Sequence, residues 1–304
     1  EKLKNRKRGP RKIRAQLKRQ YPELELPAVS TISYWLKKEG LVEKRKKRLR
    51  VPAYTQPFIE CTSPNDVWSI DYKGQFHMKN DHLCYPLTVT DNFSRFLLGC
   101  KALKGPRYNT TKRYLESLFR EYGLPDAIRT DNGTPFAGKA TGGLSRLSIW
   151  FILLGVTPER IEKGCPEQNG RHERMHRTLK NDILDSAGRN LKEQQNIFDI
   201  FRNDFNYARP HESLKDLTPS DYYKKSNRPF VEKPYPLEYG YDYIVRRVRH
   251  SGEIRFKGRM FFVSRLLTGR PVGLKEIADG IWHLQFSFYV LGSLDLRKNK
   301  IIRN

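Results

Sequence analysis

The sequence is short of acidic residues, short of cysteine and without a long apolar run. Its 304 residues hold 33 Asp and Glu against 58 Lys and Arg, a formal net charge of +25. The longest apolar stretch, Ile149–Val156, is broken by Gly155. That is well below the roughly 18 residues that span a bilayer, so it fits a buried helix or a helix–strand junction. No signal peptide is visible. The cysteines are Cys61, Cys84, Cys100 and Cys165, with no CxxC pair. This spacing excludes a zinc ribbon and a disulfide framework and fits scattered thiols in a reducing compartment. A P-loop is absent, so nothing points to nucleotide hydrolysis. Residues 1–50 hold no His/Cys zinc cluster. The chain opens on Glu1 rather than Met, and a preceding segment is expected.

The excess charge predicts a polyanionic partner, because each Lys or Arg placed on a phosphate releases condensed counterions. Residues 1–50 carry 18 Lys and Arg against five Asp and Glu. Pro10 opens a helical pattern whose inner face is Ile13 and Leu17, ended by Tyr21-Pro22. A second helix, capped by Ser30, runs through Ile32, Trp35 and Leu36 to Gly40. Two short helices about a tight connection predict a helix-turn-helix presenting Thr31, Ser33, Tyr34, Lys37 and Lys38 to DNA. The basic run Lys44–Arg50 follows. Residues 51–64, with three prolines, read as a linker.

From residue 65 to 225 strands and helices alternate. Strands are expected at Val67–Phe76, Cys84–Thr90, Phe96–Leu103, Ala127–Thr130 and from Val156. Helices are expected at Thr111–Tyr122, Leu144–Leu154 and Gln168–Ala187. Three strands followed by helix-separated strands is the order of a ribonuclease-H-like α/β core, a mixed five-stranded sheet with helices. Residues 226–240, rich in proline and tyrosine, read as a second linker. Residues 241–304 carry short strands, at Tyr243–Val248, Gly252–Phe256, Met260–Val263, Pro271–Glu276 and Ile281–Phe286, and predict a small SH3-like β-barrel. Its basic group, Arg246, Arg247, Arg249, Arg255, Lys257 and Arg259, is either solvated charge or a nonspecific DNA contact.

Three acids stand out. Asp71 sits inside the apolar strand Trp68-Ser69-Ile70-Asp71-Tyr72, a costly position unless paired or metal-bound. Asp131 ends the fourth strand, where open α/β sheets gather their sites. Glu173 lies on the long helix. If the two aspartates occupy adjacent strands their charges repel, and the natural occupant is a hard divalent cation with oxygen ligands. A third acid from a facing helix completes a two-metal site of the kind that breaks and joins phosphodiesters.

These motifs resemble, in this order, the catalytic core of retroviral-type integrases and related bacterial insertion-sequence transposases, the DDE superfamily. Thr130–Gly133, "TDNG", is similar to the second-aspartate motif. Pro166–Lys180, "PEQNGRHERMHRTLK", is similar to the final-glutamate helix. Asn206–Leu214, "NYARPHESL", together with Pro219, resembles the segment that follows it. The likeness covers roughly residues 60–225. It implies two successive phosphoryl transfers, cleavage at a transposon end and then strand transfer into target DNA. It also implies two Mg²⁺ ions, replaceable by Mn²⁺, with Asp71 bridging both and Asp131 and Glu173 each completing one. The implied partners are double-stranded DNA and further copies of the chain, in the bacterial cytoplasm at the nucleoid. A catalytically silent, transposase-derived DNA-binding protein is the alternative; the presence of all three acids argues against it. A metal-dependent nuclease that cuts without joining is a third reading. The flanking modules, suited to end recognition and assembly, argue against it.

Glu167 is nearer the retroviral spacing from Asp131, but it precedes Asn169-Gly170 in the turn before the helix. Glu173 leaves 41 residues after Asp131, with the extra length expected in Gly138–Gly143. His172-Glu173-Arg174-Met175-His176 also matches the H-E-x-x-H zinc-protease pattern. Arg174 between the would-be ligands and the charged helix argue against zinc. Instead, His176, Arg177 and Lys180 are expected to touch DNA phosphates from one helix face. Asp66 is expected to solvate a strand start and Asp91 to serve a turn. Asn169 and Gly170 are expected to start the glutamate helix.

Overall fold

The computed structural model describes residues 8–41, 58–131, 133–136, 138, 143–161, 169–183, 187–234 and 236–302. The basic run 44–50 and Glu167 lie outside them. In chain order the elements are α1 (Pro10–Gln20), α2 (Val29–Lys38), β1 (Val67–Tyr72), β2 (Phe76–His77), β3 (Leu83–Asp91), β4 (Leu97–Leu103), α3 (Tyr108–Tyr122), β5 (Ala127–Thr130), α4 (Arg146–Leu153) and β6 (Thr157–Arg160). Then come α5 (Gly170–Ile183), α6 (Leu191–Asn203), α7 (Pro219–Tyr222), β7 (Ile244–Arg247), β8 (Glu253–Phe256), β9 (Arg259–Phe262), β10 (Pro271–Ala278), β11 (Ile281–Phe286), β12 (Tyr289–Asp295) and β13 (Lys300–Ile302). The chain forms two compact units, one of residues 1–105 with 165–225 and one of residues 106–164 with 226–304.

In the first unit, α1 begins with Pro10 at a position whose N–H would have no helical partner anyway. Ile13, Ile32 and Leu36 form its small core with α2, joined by Leu17 and Leu41. Ala28, not Ser30, occupies the cap of α2. Trp35 points outward, 52% exposed, because Ile32 and Leu36, four residues apart, already fill the buried stripe. Arg11 pairs with exposed Glu212 and half-buried Asp216, and Arg19 with Asp221. Such pairs orient a surface more than they stabilise it.

β1, β3 and β4 form an antiparallel meander, with Asp71 opposite Thr88 and Leu87 opposite Lys101. The β3–β4 turn is held by the Asp91 carboxylate, which accepts from the N–H of Asn65 at 2.7 Å and of Ser94 at 2.7 Å. Asp66 accepts from the N–H of Thr62 and Ser63 ahead of β1. Both acids therefore serve the turn and strand-start roles read from the sequence. Met175 and Leu179 of α5 and Phe198 and Phe201 of α6 pack with Leu97 and Cys100 of β4.

In the second unit, α3 buries Leu115, Leu118, Phe119 and Tyr122. β5 and β6 run parallel, Thr130 opposite Arg160, and α4 is the connection between them. A reciprocal Ser145–Ser148 capping box starts α4. Its apolar residues are buried all round, since Ile149 and Ile152 join the same core as Phe256, Phe261, Leu274 and Leu284. The C-terminal strands form an antiparallel sheet in the order β13-β12-β11-β10-β7, beside the separate hairpin β8-β9. The expected barrel is thus a sheet and a hairpin over one core, without a closed hydrogen-bond circuit in the strand pairing among the described residues. Lys257 and Gly258, both at positive φ, make the two-residue hairpin turn. Ser226, Arg228 and Tyr239, within the stretch expected as a linker, are docked. Ser226 donates to Tyr122, the Arg228 carbonyl accepts from Leu124, and Tyr239 donates to Pro271. The C-terminal strands therefore belong to one compact unit with residues 106–164, which a division along chain order does not anticipate.

Candidate active site

Asp71 lies near the end of β1, where burial changes from complete at Val67–Ile70 to partial at Asp71 and Tyr72. A strand alternates its faces, and its last residues leave the sheet interior, so the carboxylate emerges at an open edge. Glu173 stands in the first turn of α5 and is exposed. His172, Met175, His176 and Leu179 form the buried stripe of that helix, the 1-4-5-8 spacing of an amphipathic helix. Glu173, Arg177 and Lys180 lie off it. Asp71, Lys73, Glu173, His176, Arg177 and Lys180 line one cleft of about 410 Å³. The structure therefore brings Asp71 and Glu173 to one opening, with Lys73, Arg177 and Lys180 beside them.

His176 corrects the reading that it touches DNA phosphate. It is 6% exposed and turned toward β3, with Nε2 2.6 Å from Thr88 Oγ1. Burial, then the neighbouring His172 and Lys73, push its pKa far down, so the ring is neutral. His172 is equally buried, its pKa lowered to about 3 by desolvation. Its Nε2 lies 2.8 Å from Thr88 Oγ1 and its Nδ1 2.7 Å from Thr90 Oγ1. The two histidines do share a face, and Arg174 is exposed rather than between them. What removes the zinc-protease reading is that both ring nitrogens of His172 are taken by threonine hydroxyls. Thr88 and Thr90 were not singled out in the sequence. Their signal is two hydroxyls at alternate positions of an otherwise apolar strand.

Asp131 follows β5 in the second unit and is half-buried. Its Oδ1 is buried with no hydrogen-bond partner among the described residues, and a buried acceptor of this kind favours a cation or a hydrogen-bond donor. At Gly133 a Cβ would lie 2.7 Å from Asp131 Oδ2, so glycine leaves the carboxylate its place. Lys37 and Lys38 are exposed in the last turn of α2. Arg246, Arg247, Arg249, Arg255, Lys257 and Arg259 are all exposed. Asn169 is buried at the start of α5. A second cleft, of about 530 Å³, is lined by Arg95, Arg171, Arg174 and Arg177. There Arg171 Nη1 donates to the Asn92 carbonyl at 2.9 Å.

Residues 62–166 and 154–219 match families described as the integrase core domain. Asp71, Asp131 and Glu173 all lie within the residues that match these integrase core domain models. Residues 243–302 match the C-terminal domain of IS481 family transposases. The chain belongs to the integrase core domain family and carries the IS481-type transposase C-terminal domain. It is 30% identical over 185 residues to a protein of insertion element IS407 from Burkholderia multivorans, covering 60% of this chain and 64% of that one. It is 26% identical over 219 residues to a protein of insertion element IS476 from Xanthomonas euvesicatoria, covering 72% and 61%. The chain therefore spans less than two thirds of these curated relatives. A Gag-Pol polyprotein of baboon endogenous virus is 29% identical over 133 residues, 43% of this chain and 7% of that one. The HTLV-2 integrase catalytic core, solved with magnesium in trimeric form, aligns with a TM-score of 0.43 at 18% identity, covering 54% of this chain and 100% of that one. Among the described residues no helix is long and apolar enough to cross a membrane.

Proposed function

We propose that the chain is a DNA transposase that cleaves transposon ends and joins them to target DNA, with Asp71, Asp131 and Glu173 as the catalytic carboxylates. The observation that carries this reading is the shared cleft of Asp71 and Glu173, with Arg177 and Lys180 on its rim. The donor set fits two divalent ions. Carboxylate oxygens are the ligands that Mg²⁺ and Mn²⁺ take, and the buried, unpartnered Oδ1 of Asp131 needs a cationic or hydrogen-bonding neighbour. Asp71, Asp131 and Glu173 would hold the ions, which when bound activate the attacking hydroxyl and stabilise charge on the phosphoryl oxygens.

The chain's own part is positioning. Arg177 and Lys180, one and two turns beyond Glu173, hold backbone phosphate so that the scissile bond lies at the cleft. Lys37 and Lys38 hold duplex DNA at a distance from the chemistry, and the exposed arginines of the C-terminal strands add nonspecific contact. Such activity on two DNA ends is that of a multimer of this chain.

The test is incubation of labelled candidate transposon ends with Mg²⁺, scoring nicked and joined products. Native protein forms both, chelation by EDTA abolishes both, and Asp71→Ala, Asp131→Ala and Glu173→Ala each form neither. Full activity in any one of these variants overturns the assignment of that residue. Equal DNA binding with no product under either metal supports the silent alternative.

A further inference from the structure

Beside the three carboxylates, a nitrogen faces Asp71. His176 Nδ1 lies 3.7 Å from Asp71 Oδ2. Whether that nitrogen carries a proton decides what the pair can do, and the protons can be placed from the hydrogen bonds around Thr88.

A threonine hydroxyl has one proton to donate and two lone pairs. Thr88 Oγ1 lies 3.1 Å from the Asp71 carbonyl, a group that only accepts, so the hydroxyl proton goes there. The two remaining contacts of Thr88 Oγ1, to Nε2 of His172 and Nε2 of His176, must then be donated by the rings. His172 closes the arrangement, since its Nδ1 accepts from the Thr90 hydroxyl at 2.7 Å. His176 is thereby the Nε2–H tautomer, and its Nδ1 carries a lone pair directed at the Asp71 side. Two acceptors, one of them anionic, face each other across 3.7 Å. No proton lies between them, and the separation is too long for a hydrogen bond.

A shared cation resolves this arrangement. Two metal–ligand bonds of about 2.1 Å reach across at most about 4 Å, so one ion can contact both atoms. The second nitrogen of a metal-bound imidazole ordinarily donates to an oxygen that fixes its tautomer and ring plane, which is the place Thr88 holds. His172 cannot share the role, with both nitrogens engaged.

We infer that His176 Nδ1 is a further metal ligand, completing with Asp71 a mixed nitrogen–oxygen site that binds Mn²⁺ in preference to Mg²⁺. The inference rests on the reading of Asp71 as a metal ligand and adds to it. Imidazole favours transition metals, whereas an all-oxygen set accepts Mg²⁺ equally well.

The test uses Mn²⁺ with the full chain, without DNA. Pulsed electron paramagnetic resonance reports a directly bound ¹⁴N, and titration gives the dissociation constant. Native protein is expected to show nitrogen coupling. His176→Gln is expected to lose it, with Mn²⁺ affinity at least tenfold weaker and Mg²⁺ affinity changed less than threefold. Thr88→Val keeps the imidazole but frees its tautomer, and is expected to weaken Mn²⁺ several-fold; it stands in if His176→Gln fails to fold. Mn²⁺ binding that is lost in Asp71→Asn but lacks nitrogen coupling in the native protein overturns this inference alone. Coupling that persists in His176→Gln overturns it in favour of another ligand. Mn²⁺ binding indifferent to Asp71→Asn overturns it together with the role given to Asp71.

Discussion

The side-chain amide of Asn206 takes both backbone groups of Leu97: Oδ1 accepts from the N–H at 2.7 Å and Nδ2 donates to the carbonyl at 3.0 Å. Asn206 opens the segment that follows the glutamate helix and lies in a π-helical turn after α6. Leu97 is fully buried in β4. Three residues on, buried Arg209 pairs with Asp182 of α5 and with Asp204. These two residues give the segment a physical purpose, which is to clamp α5 and β4 to the turn that follows them.

Replacing Asn206 with leucine leaves two buried backbone groups unpaired. At about 1–3 kcal/mol each, the expected loss is about 2–6 kcal/mol, read as a lower urea midpoint. A midpoint within error of native would show that the backbone of β4 finds other partners.

His211 sets a pH dependence. It packs edge-on against Phe205, and its pKa is lowered to about 3, chiefly by burial and then by Lys12. A histidine whose folded pKa is depressed contributes stability above its unfolded value, about 6.5. That stability is lost as pH falls toward 3, because only the unfolded chain takes the proton. Stability is expected to drop by about 1.4 kcal/mol per unit once pH is below the unfolded value. His211→Phe is expected to lessen the difference between pH 7 and pH 5 measured by urea denaturation. An unchanged difference would contradict a buried neutral ring.

Gly133→Ala separates site from fold. Its Cβ meets the Asp131 carboxylate at 2.7 Å, a flexible group that can turn aside. Melting temperature is expected to stay within about 2 °C of native, while joined product falls at least tenfold, because displaced carboxylates lose metal and substrate geometry. Native activity in this variant would show that the position of Asp131 does not matter.

Lys37 and Lys38 are expected to act on affinity alone. Each phosphate contact contributes about 0.9 to the slope of log affinity against log salt. The double alanine variant is therefore expected to lower that slope by about 1.8, measured by fluorescence anisotropy on duplex DNA. An unchanged slope would place the DNA elsewhere.

Much of this was legible in the chain, for identifiable reasons. Val67–Ile70 leads directly into Asp71 and Ala127–Thr130 into Asp131, and each strand ends within one residue of its acid. The stripe Leu115, Leu118, Phe119 has helical spacing, and a helix buries it. His176 was misread because helix spacing tells which residues share a face, not which face is buried. Its partner Thr88 lies 88 residues away, and only the fold supplies it. Trp35 turns outward because Ile32 and Leu36 fill the stripe, a choice that composition alone does not make. α6, β12 and β13 were not marked, and Gly292 interrupts the alternation of β12. The docking of Ser226, Arg228 and Tyr239 rests on hydrogen bonds whose partners are mostly backbone carbonyls, which leave no side-chain pattern to read.

The most direct measurement is the yield of joined DNA from a labelled transposon end in Mg²⁺ with Glu173→Gln, which keeps the size of the side chain and removes its charge. DNA binding by the variant is expected to match native within about threefold, and joined product to fall by about 10³ or more, the scale of losing a transition-state charge contact. Native yields of joined product in Glu173→Gln would contradict the assignment of Glu173, and with it the carboxylate trio as proposed.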